Sequence, residues 1–484
     1  MPLTILSDSN VKELLNNITA GDVELFQVSL QQALHEYSTG IREDGSVSNV
    51  QPERTVVENG KGNTTLFMPS TSSSGIGVKV VTLATPRDDA SDSASDDSDN
   101  IAPAPVNIVT TPQGALTLME PDGRPMGFVN AEELTAFRTA LVSSLLLTRR
   151  SKVKTLTVFG VGRQAHWHVR LALLLHGNTI KHVHFINRSF SDRANLTMKA
   201  FLQFDPAVKE REGWANTAFG MLTPGYGEYH RLIKEQLRVA DVIFCTTPST
   251  EPLFDPQILT STEGRKRGRL IVAVGSYKKH MIELPPEILK QAVHISSGHH
   301  FHKHAEEGQV VVVDTLACVT QTGELTQANI KEKQTVEIGE LVMLSRMDPN
   351  LHAEDSPTLA GSPPESSEMS LESLNIGDAA PGSSLARAFR ESTSSPPDTA
   401  GNRSGSKSPH RKSSSLWNHR RSGSFTSLTK KKKQTEKEDE MSRWLSRGNV
   451  IYKSVGLGLM DLVVGKDLVK LAREKGVGIE VKDF

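Results

Sequence analysis

The amino-acid sequence predicts an α/β protein with a central doubly wound parallel sheet and a second, discontinuous α+β domain made by the two ends of the chain. Strand and helix patterns alternate from about residue 140 to residue 315, which is typical of a parallel sheet covered by helices. The residues before this region have helix patterns and then strand patterns. The C-terminal segment is too short to bury its own apolar faces, so it is expected to pack on the first block.

Length and composition exclude several classes of protein. The 484 residues correspond to two or three domains, and the formal net charge is -1. With a pI near 7.0, the chain lacks the basic field that binds nucleic acid or anionic membranes. Cys245 and Cys318 lie in apolar contexts, which argues against a disulfide framework and favours a reducing compartment. Without a leader pattern or an apolar span, the sequence predicts a cytoplasmic protein with neither nucleic-acid nor membrane partners.

Two segments have the composition of a disordered chain. They are residues 88–100, "DDASDSASDDSDN", and residues 345–447, which are rich in Ser, Pro, Gly and charge. The longer insertion contains serines that follow arginines and Ser-Pro pairs, which suit basophilic and proline-directed kinases. These sites predict phosphorylation and a phospho-dependent partner, and a solvated Ser-rich linker is the alternative.

The first block, from Met1 to about Thr139, combines helices with an antiparallel sheet. Helices are predicted over "SNVKELLNN", with Ser9 as N-cap, and over "DVELFQVSLQQALHEYS". Strands are predicted over "LFMPS", "GVKVVTLAT" and "ALTLMEP", and the Pro-Asp-Gly of "MEPDGRPMGFVN" predicts a hairpin turn. The C-terminal strand, helix and strand are expected to pack here. The predicted discontinuous domain therefore comprises residues 1–139 and 448–484.

The second block, residues 140–344, is predicted to bind a dinucleotide. Its first strand, "TLTVFGVG", and its first helix are joined by G-x-G-x-x-A, as in Rossmann-type folds. Gly160 permits the tight turn, and Gly162 lets the pyrophosphate approach the helix N-terminus. The small Ala165 allows close contact of helix and strand. The predicted cofactor residues also include Gln164 in this turn and Thr246 and Thr247 after the strand "VADVIFC".

The end of the second strand of this block bears on which dinucleotide binds. NAD-preferring folds place an acid there for the ribose 2′-hydroxyl, whereas this chain has Asn187, Arg188 and Ser189. A guanidinium can pair bidentately with a 2′-phosphate, and no carboxylate repels it. NADP(H) is therefore favoured, with NAD(H) as the alternative. A merely structural turn with a solvated Arg188 is the other interpretation.

Several longer strings occur in a characteristic order: "QPERTVV", "LFMPS", "GVKVVT", "DGRPMGFVNAEELTAFRTAL", "VFGVGRQAHWHV", "INRS", "ADVIFCTTPSTEPLF", "VAVGSYKKHMIELPPEIL", "VVVVDT" and "VIYKSVGLGLMDL". Together they resemble the ornithine cyclodeaminase/mu-crystallin family over nearly the whole chain outside the two low-complexity segments. The resemblance implies a homodimer. It also implies a discontinuous substrate and dimerisation domain around a central Rossmann domain.

The resemblance further implies a cationic cluster that holds the carboxylate of an amino or imino acid beside the nicotinamide. Its members here are Lys79 as the catalytic residue and Arg54 and Arg138 as substrate ligands. Arginine offers a planar fork to a carboxylate, and a desolvated lysine of lowered pKa can donate or accept a proton. The alternative is that the arginines form surface ion pairs and Lys79 points to solvent.

One position departs from the cyclodeaminases that the chain resembles. Those proteins have an aspartate between the strand–Gly stretch and "EL", where "VGSYKKHMIEL" has Tyr277. A phenol with an ordinary pKa of about 10 is a poor substitute for a carboxylate base. The crystallin-like branch, which is similar to NAD(P)H-dependent ketimine reductases, also lacks this acid and has "KS", as in Lys453 and Ser454 here. The resemblance is therefore closer to that branch.

These observations predict an NAD(P)H-dependent oxidoreductase that reduces a small cyclic imino acid, of the pyrroline-carboxylate type, in proline or ornithine metabolism. One alternative is an ornithine cyclodeaminase-type lyase with bound NAD. Another is a catalytically silent NADPH-binding regulator. The run "AVHISSGHHFHKHAEEG" is rich in histidine, but it has no characteristic ligand spacing, and no metal is predicted.

Overall fold

The computed structural model describes residues 2–40, 51–58, 63–84, 113–294, 308–341, 441–482 and 484. The acidic segment 88–100, residues 345–440 of the insertion and its predicted phosphorylation sites lie outside the described residues. Residues 441–447 are helical, and Met441, Trp444 and Leu445 are buried in the core. The prediction of disorder up to residue 447 is therefore wrong at its end, because these apolar side chains pack against the folded chain.

The first sheet is built from both ends of the chain. Among the described strands its order is β15-β1-β6-β5-β4-β3-β2, and all neighbours are antiparallel except β1 and β6. The predicted antiparallel sheet is thus right for β2 to β6 and wrong where β1 joins. The strands are β1 (Leu3–Leu6), β2 (Thr55–Glu58), β3 (Asn63–Ser72), β4 (Gly75–Ala84), β5 (Gln113–Met119), β6 (Pro125–Asn130) and β15 (Ile479–Val481).

The second sheet is parallel throughout its described strands, in the order β13-β12-β14-β11-β10-β7-β8-β9. The strand order reverses between β7 and β10, which is where doubly wound folds bind ligands. The predicted α/β fold class is confirmed. The strands are β7 (Thr155–Phe159), β8 (His182–Ile186), β9 (Ala218–Leu222), β10 (Val242–Cys245), β11 (Leu270–Ala273), β12 (Val311–Val313), β13 (Thr335–Glu337) and β14 (Val450–Lys453).

Besides the helical residues 441–447, further helices cover both sheets. They are α1 (Asp8–Asn16), α2 (Ala20–Thr39), α3 (Ala131–Leu147), α4 (Arg163–His176), α5 (Asp192–Leu202), α6 (Pro206–Arg211), α7 (Tyr229–Val239), α8 (Gln257–Thr260), α9 (Pro286–Ala292), α10 (Cys318–Gln321), α11 (Gly323–Gln327), α12 (Ile338–Leu341) and α13 (Gly458–Lys475). The predicted boundary at residue 139 falls inside α3, a continuous helix that packs on α4 and on α13.

Local sequence signals explain several element ends. The hydroxyl of Ser7 accepts a hydrogen bond from the Asn10 amide, and the Asn10 side chain accepts one from the Ser7 amide at 3.1 Å. This reciprocal pair makes Ser7 the N-cap of α1. The prediction of Ser9 is wrong, because that residue lies within the first turn. The predicted hairpin turn is confirmed between β5 and β6.

The C-terminal segment is shared between the two sheets. Strand β14 lies between β11 and β12 in the parallel sheet, whereas α13 covers the first sheet and β15 pairs with β1. The expectation that the whole segment packs on the first block is therefore wrong for β14. Its four residues are all buried, as suits a strand covered on both faces. The chain thus crosses between the sheets at residues 454–457.

Candidate functional site

The glycine turn after β7 has room for a ligand. Gly160 has φ of +99°, and a Cβ there would lie 2.9 Å from Thr246 Oγ1 and 3.1 Å from Thr247 Cγ2. Gly162 is the N-cap of α4, no side chain caps this helix, and a Cβ on Gly162 would meet no atom within 4 Å. The first amides of α4 therefore face open space at the switch point, which fits a pyrophosphate.

The remaining predicted cofactor residues surround this turn. Ala165, in the first turn of α4, is fully buried, and Gln164 has a buried Oε1 without a hydrogen-bond partner. Thr246 Oγ1 donates to the Phe159 carbonyl at 2.7 Å. Thr247 is held through its amide by a buried carboxylate, that of Glu283, at 2.6 Å. The structure thus brings the ends of β7 and β10 together, with one polar side chain left unpaired.

The end of β8 carries an exposed cation and no acid in the predicted positions. Arg188 and Ser189 are exposed, and Asn187 Nδ2 donates to the Ser189 carbonyl at 2.8 Å. The Asn187 amide bonds to the Leu222 carbonyl at the end of β9, which fixes where this loop begins. The guanidinium of Arg188 is therefore displayed beside the carboxyl ends of the strands.

A buried ion cluster lies between the first sheet and α13. Lys79 belongs to β4, in which residues 75, 77, 79 and 81 all face the covered side of the sheet. Its ammonium lies 2.7 Å from Asp461 Oδ2, and the two side chains are 2% and 0% exposed. The alternative in which Lys79 points to solvent is therefore excluded. Arg138 of α3, also buried, donates through Nε to Asp461 Oδ1 at 3.0 Å.

Arg54 approaches the same cluster from the residue before β2. It is half-buried, and its Nη2 donates to Gln321 Oε1 of α10 at 2.6 Å. Its charge is close enough to lower the pKa of Lys79. The three cations predicted from the sequence, Arg54, Lys79 and Arg138, therefore share one electrostatic environment.

Burial sets the protonation of Lys79. Desolvation lowers the pKa of this lysine to about 8; the charges of Arg138 and Arg54 act in the same direction, and Asp461 opposes them. A lysine with a pKa near neutrality can deliver a proton and regain it. Three cations against one carboxylate leave an excess of two positive charges, which suits an anionic ligand.

Tyr277 does not belong to the ion cluster of Lys79, Arg138 and Asp461. It is half-buried, and burial raises the pKa of its phenol, so the phenol is not a base near neutral pH. Nearby, the Lys453 ammonium lies 3.2 Å from Glu324 Oε2 and donates to the Ser276 carbonyl at 2.5 Å. Glu283 lies beside them, fully buried. Lys453 thus belongs to a second buried cluster.

Sequence reasoning missed Asp461, Glu283, Glu324 and Gln321. A signal was present for Asp461, because an acid inside the apolar helix string "GLMDLVV" must find a cation when it is buried. Glu283 and Glu324 gave no comparable local signal, since each lies in a mixed polar segment. Their importance arises from distant backbone groups that the fold brings to them.

The described residues offer neither a metal site nor a membrane-spanning helix. In these parts of the chain no group of three His, Cys, Asp or Glu side chains could hold a metal ion. His294 is described, whereas His299, His300, His302 and His304 lie outside the described residues. No helix within the described ranges is long and apolar enough to cross a membrane.

Comparisons with known sequences find relatives over much of the chain. No family model matches. The chain is 24% identical over 375 residues to an uncharacterized protein of Saccharomyces cerevisiae, covering 72% of this chain and 89% of the other. It is 24% identical over 310 residues to a Delta(1)-pyrroline-2-carboxylate reductase of Bacillus cereus, covering 63% and 77%. An uncharacterized cyclodeaminase of Dictyostelium discoideum is 30% identical over 164 residues, covering 32% and 42%.

Solved structures share the fold at low sequence identity. The Delta(1)-pyrroline-2-carboxylate reductase of Thermococcus litoralis, in complex with NADH and L-proline, has a TM-score of 0.55 at 16% identity, covering 99% of both chains. The iminosuccinate reductase of Paracoccus denitrificans, in complex with NAD+, has a TM-score of 0.55 at 18% identity, covering 100% of both. A lysine cyclodeaminase has a TM-score of 0.54 at 15% identity, covering 100% of this chain and 96% of the other.

Proposed function

Since the chain belongs to the ornithine cyclodeaminase/mu-crystallin family, we propose that it is an NAD(P)H-dependent reductase of a small cyclic imino acid. The pyrroline- and piperideine-carboxylates are the favoured substrate class. One observation carries this proposal: Lys79 and Arg138 share the buried carboxylate of Asp461, with Arg54 beside them. The excess positive charge suits a substrate carboxylate, and the lysine has a proton to give.

In the proposed mechanism the two arginines orient the substrate. Arg138 is held by Asp461 through Nε, and its Nη1 donates to the weak acceptor Met460 Sδ at 3.6 Å. A substrate carboxylate would bind Nη2 and replace the thioether at Nη1. Arg54 exchanges the amide of Gln321 for the same carboxylate. Fixing the carboxylate orients the imine toward Lys79, and this orientation lowers the entropic part of the barrier.

Lys79 supplies the proton. With a pKa of about 8, its ammonium form predominates at pH 7, and Nζ donates to the imine nitrogen as the C=N bond is reduced. When bound, a reduced nicotinamide would provide the hydride for the imine carbon. Asp461 keeps Nζ in place and stabilises the charged lysine before transfer.

We also propose NADP(H) as the preferred cofactor and a homodimer as the assembly. The exposed Arg188, with no acid among Asn187, Arg188 and Ser189, supports the choice of NADP(H). The two solved reductases named above are in complex with NADH or NAD+, so NAD(H) is the competing cofactor in the test. The absence of a carboxylate at Tyr277 supports reduction over ammonia loss.

The test follows NADPH and NADH oxidation with a panel of cyclic imino acids, beside ammonia release from ornithine. We expect saturable oxidation with one imine, and a loss in kcat of about 10²–10⁴-fold in Lys79→Met. Lys152→Met, which removes an exposed lysine, is the matched control. Full turnover in Lys79→Met would contradict the mechanism. Ammonia release without dinucleotide oxidation would indicate the lyase, and dinucleotide binding without either reaction would indicate a silent binding protein.

A further inference from the structure

One buried side chain, Glu283, connects the loops that follow β10 and β11. Its Oε1 accepts hydrogen bonds from the Thr247 amide at 2.6 Å and from the Thr247 hydroxyl at 3.2 Å. Its Oε2 accepts from the Gly275 amide at 2.7 Å and from the Ser276 amide at 3.1 Å. Both oxygens of a fully buried carboxylate are therefore used to hold two separate loops.

The two loops touch each other and the glycine turn. A Cβ on Gly275 would lie 2.2 Å from the Thr247 carbonyl oxygen and 2.6 Å from Glu283 Oε1, so only glycine fits between the loops. On the other side, Thr246 Oγ1 donates to the Phe159 carbonyl and would lie 2.9 Å from a Cβ on Gly160. A shift of Glu283 would therefore be transmitted along the edge of the sheet.

The titratable groups around Glu283 come from three neighbouring elements. Glu324 of α11 accepts from the Glu283 amide at 2.9 Å, Lys453 of β14 pairs with Glu324, and Cys245 ends β10. Burial raises the pKa of Glu283 to about 7; the charge of Lys453 opposes this shift and that of Glu324 adds to it. One lysine thus faces two buried carboxylates.

We propose that Glu283 is a positioning residue for the nicotinamide half of the dinucleotide. The inference rests on the proposed function, because it takes the cofactor to lie across the switch point. The glycine turn and Arg188 lie at β7 and β8 and suit the phosphates and the adenosine. The other half then lies over the ends of β10 and β11, where Glu283 fixes the backbone.

The experiment compares two ligands by isothermal titration calorimetry on the full chain. They are NADP+ and 2′-phospho-ADP-ribose, which lacks the nicotinamide. In Glu283→Gln we expect the dissociation constant for NADP+ to rise about 10-fold and that for 2′-phospho-ADP-ribose to change by less than about twofold. The reason is that the glutamine amide presents a donor where the carboxylate accepted from two backbone N–H groups. Glu287→Gln, an exposed carboxylate on α9, is the matched control and should change neither constant.

A second variant and a pH series test the role of Glu283 in two further ways. Glu283→Asp keeps the negative charge, but its shorter side chain cannot reach both loops. It should therefore show the same selective loss of affinity for NADP+. In the wild type, the preference for NADP+ over 2′-phospho-ADP-ribose should fall as the pH drops from 8 to 6 and the carboxylate gains a proton. The preference should be constant in Glu283→Gln.

If Glu283→Gln binds both ligands more weakly to the same extent, or binds neither more weakly, Glu283 is not a positioning residue for the nicotinamide half. A preference of the wild type that does not change with pH would also overturn the assignment of Glu283. If the wild type binds neither NADP+ nor NAD+, the proposed function fails and this inference fails with it; if it binds NAD+ alone, the same comparison is made with NAD+ and ADP-ribose. Selective loss of the nicotinamide contribution supports Glu283 whether or not any imine is turned over.

Discussion

Replacing Asp461 by asparagine is the sharpest perturbation of the ion cluster. The carboxylate oxygens lie 2.7 Å from Lys79 Nζ and 3.0 Å from Arg138 Nε, and the side chain is 0% exposed. An asparagine of the same shape keeps one acceptor oxygen and turns an amide donor toward one cation. Two buried cations then lose their counterion while the packing stays the same.

The expected loss of stability in Asp461→Asn follows from the burial of the ion cluster. Removing one partner of a buried ion pair costs roughly 3–5 kcal/mol, and solvent does not screen this site. The free energy of unfolding of Asp461→Asn at pH 7, from urea denaturation, should fall by about that amount. Loss of the Asp461 charge lowers the pKa of Lys79, so part of the cost is avoided because the lysine loses its proton. The basic limb of the pH profile of kcat/KM should therefore lie at a lower pH than in the wild type.

The sign of the pH dependence gives a second check. The pKa of Lys79 lies at about 8 in the folded protein, below its ordinary value of 10.5. At pH 9.5 the lysine is therefore mostly neutral in wild type and variant alike, and only Arg138 loses a charged partner. The difference in unfolding free energy should be smaller at pH 9.5 than at pH 7.

Two further variants complete this experiment. In a Lys79→Met background, Asp461→Asn should cost less than in the wild type, because one of the two orphaned cations is gone. Glu474→Gln, an exposed carboxylate on the same helix, should cost almost nothing. An Asp461→Asn protein as stable as the wild type at pH 7, with an unchanged pH profile, would refute the reasoning.

Two predictions concern the dinucleotide. Gly160→Ala places a Cβ 2.9 Å from Thr246 Oγ1 at a φ of +99°, so binding of both NADPH and NADH, measured by calorimetry, should weaken together; intact affinity would contradict the role of this turn. Arg188→Ala should weaken NADPH about 10-fold or more and leave NADH within about twofold; equal effects on both would remove the argument for NADP(H).

The parallel sheet could be predicted because its strands are short apolar runs followed by turn residues. Burial on both faces leaves no alternation, so "TLTVF" and "VIFC" are evident in the sequence. The string "VIYK" of β14 has the same character, yet its position next to the C-terminal helix suggested the wrong sheet. The sheet that a strand joins depends on which strands lie beside it. The neighbours of β14 are far away in the sequence, beyond a long insertion, so the local sequence does not identify them.

The candidate site could be predicted only in part. Lys79, Arg138 and Arg54 were found through the resemblance, since a buried lysine on a strand gives no signal of its own. Asp461 is separated from Lys79 by 382 positions in sequence, so their pairing depends on α13 covering β4. The role of a carboxylate that accepts from backbone amides, such as Glu283, can be recognised only when the loops that it joins are known.

The crossing between the sheets leads to a last prediction, at Gly456. Gly456 has φ of +78°, and a Cβ there would lie 2.6 Å from Arg138 Nη1 and 2.7 Å from Nη2. Asp314 holds this turn through the amides of Val455 and Gly456, at 2.8 Å and 2.7 Å, and through the Ser454 hydroxyl. The turn cannot easily retreat, so an alanine must displace the Arg138 guanidinium.

Gly456→Ala should therefore raise the KM for the imino acid by about 10-fold or more, through loss of a bidentate carboxylate contact. The dissociation constant for NADPH should stay unchanged, because this turn touches neither the glycine motif nor Arg188. Gly123→Ala is the matched control, since Gly123 has a similar φ of +86° with no atom within 4 Å. If Gly456→Ala changes KM no more than Gly123→Ala does, Arg138 is not a substrate ligand. In that case Arg138 serves only to pair with Asp461 in the buried cluster.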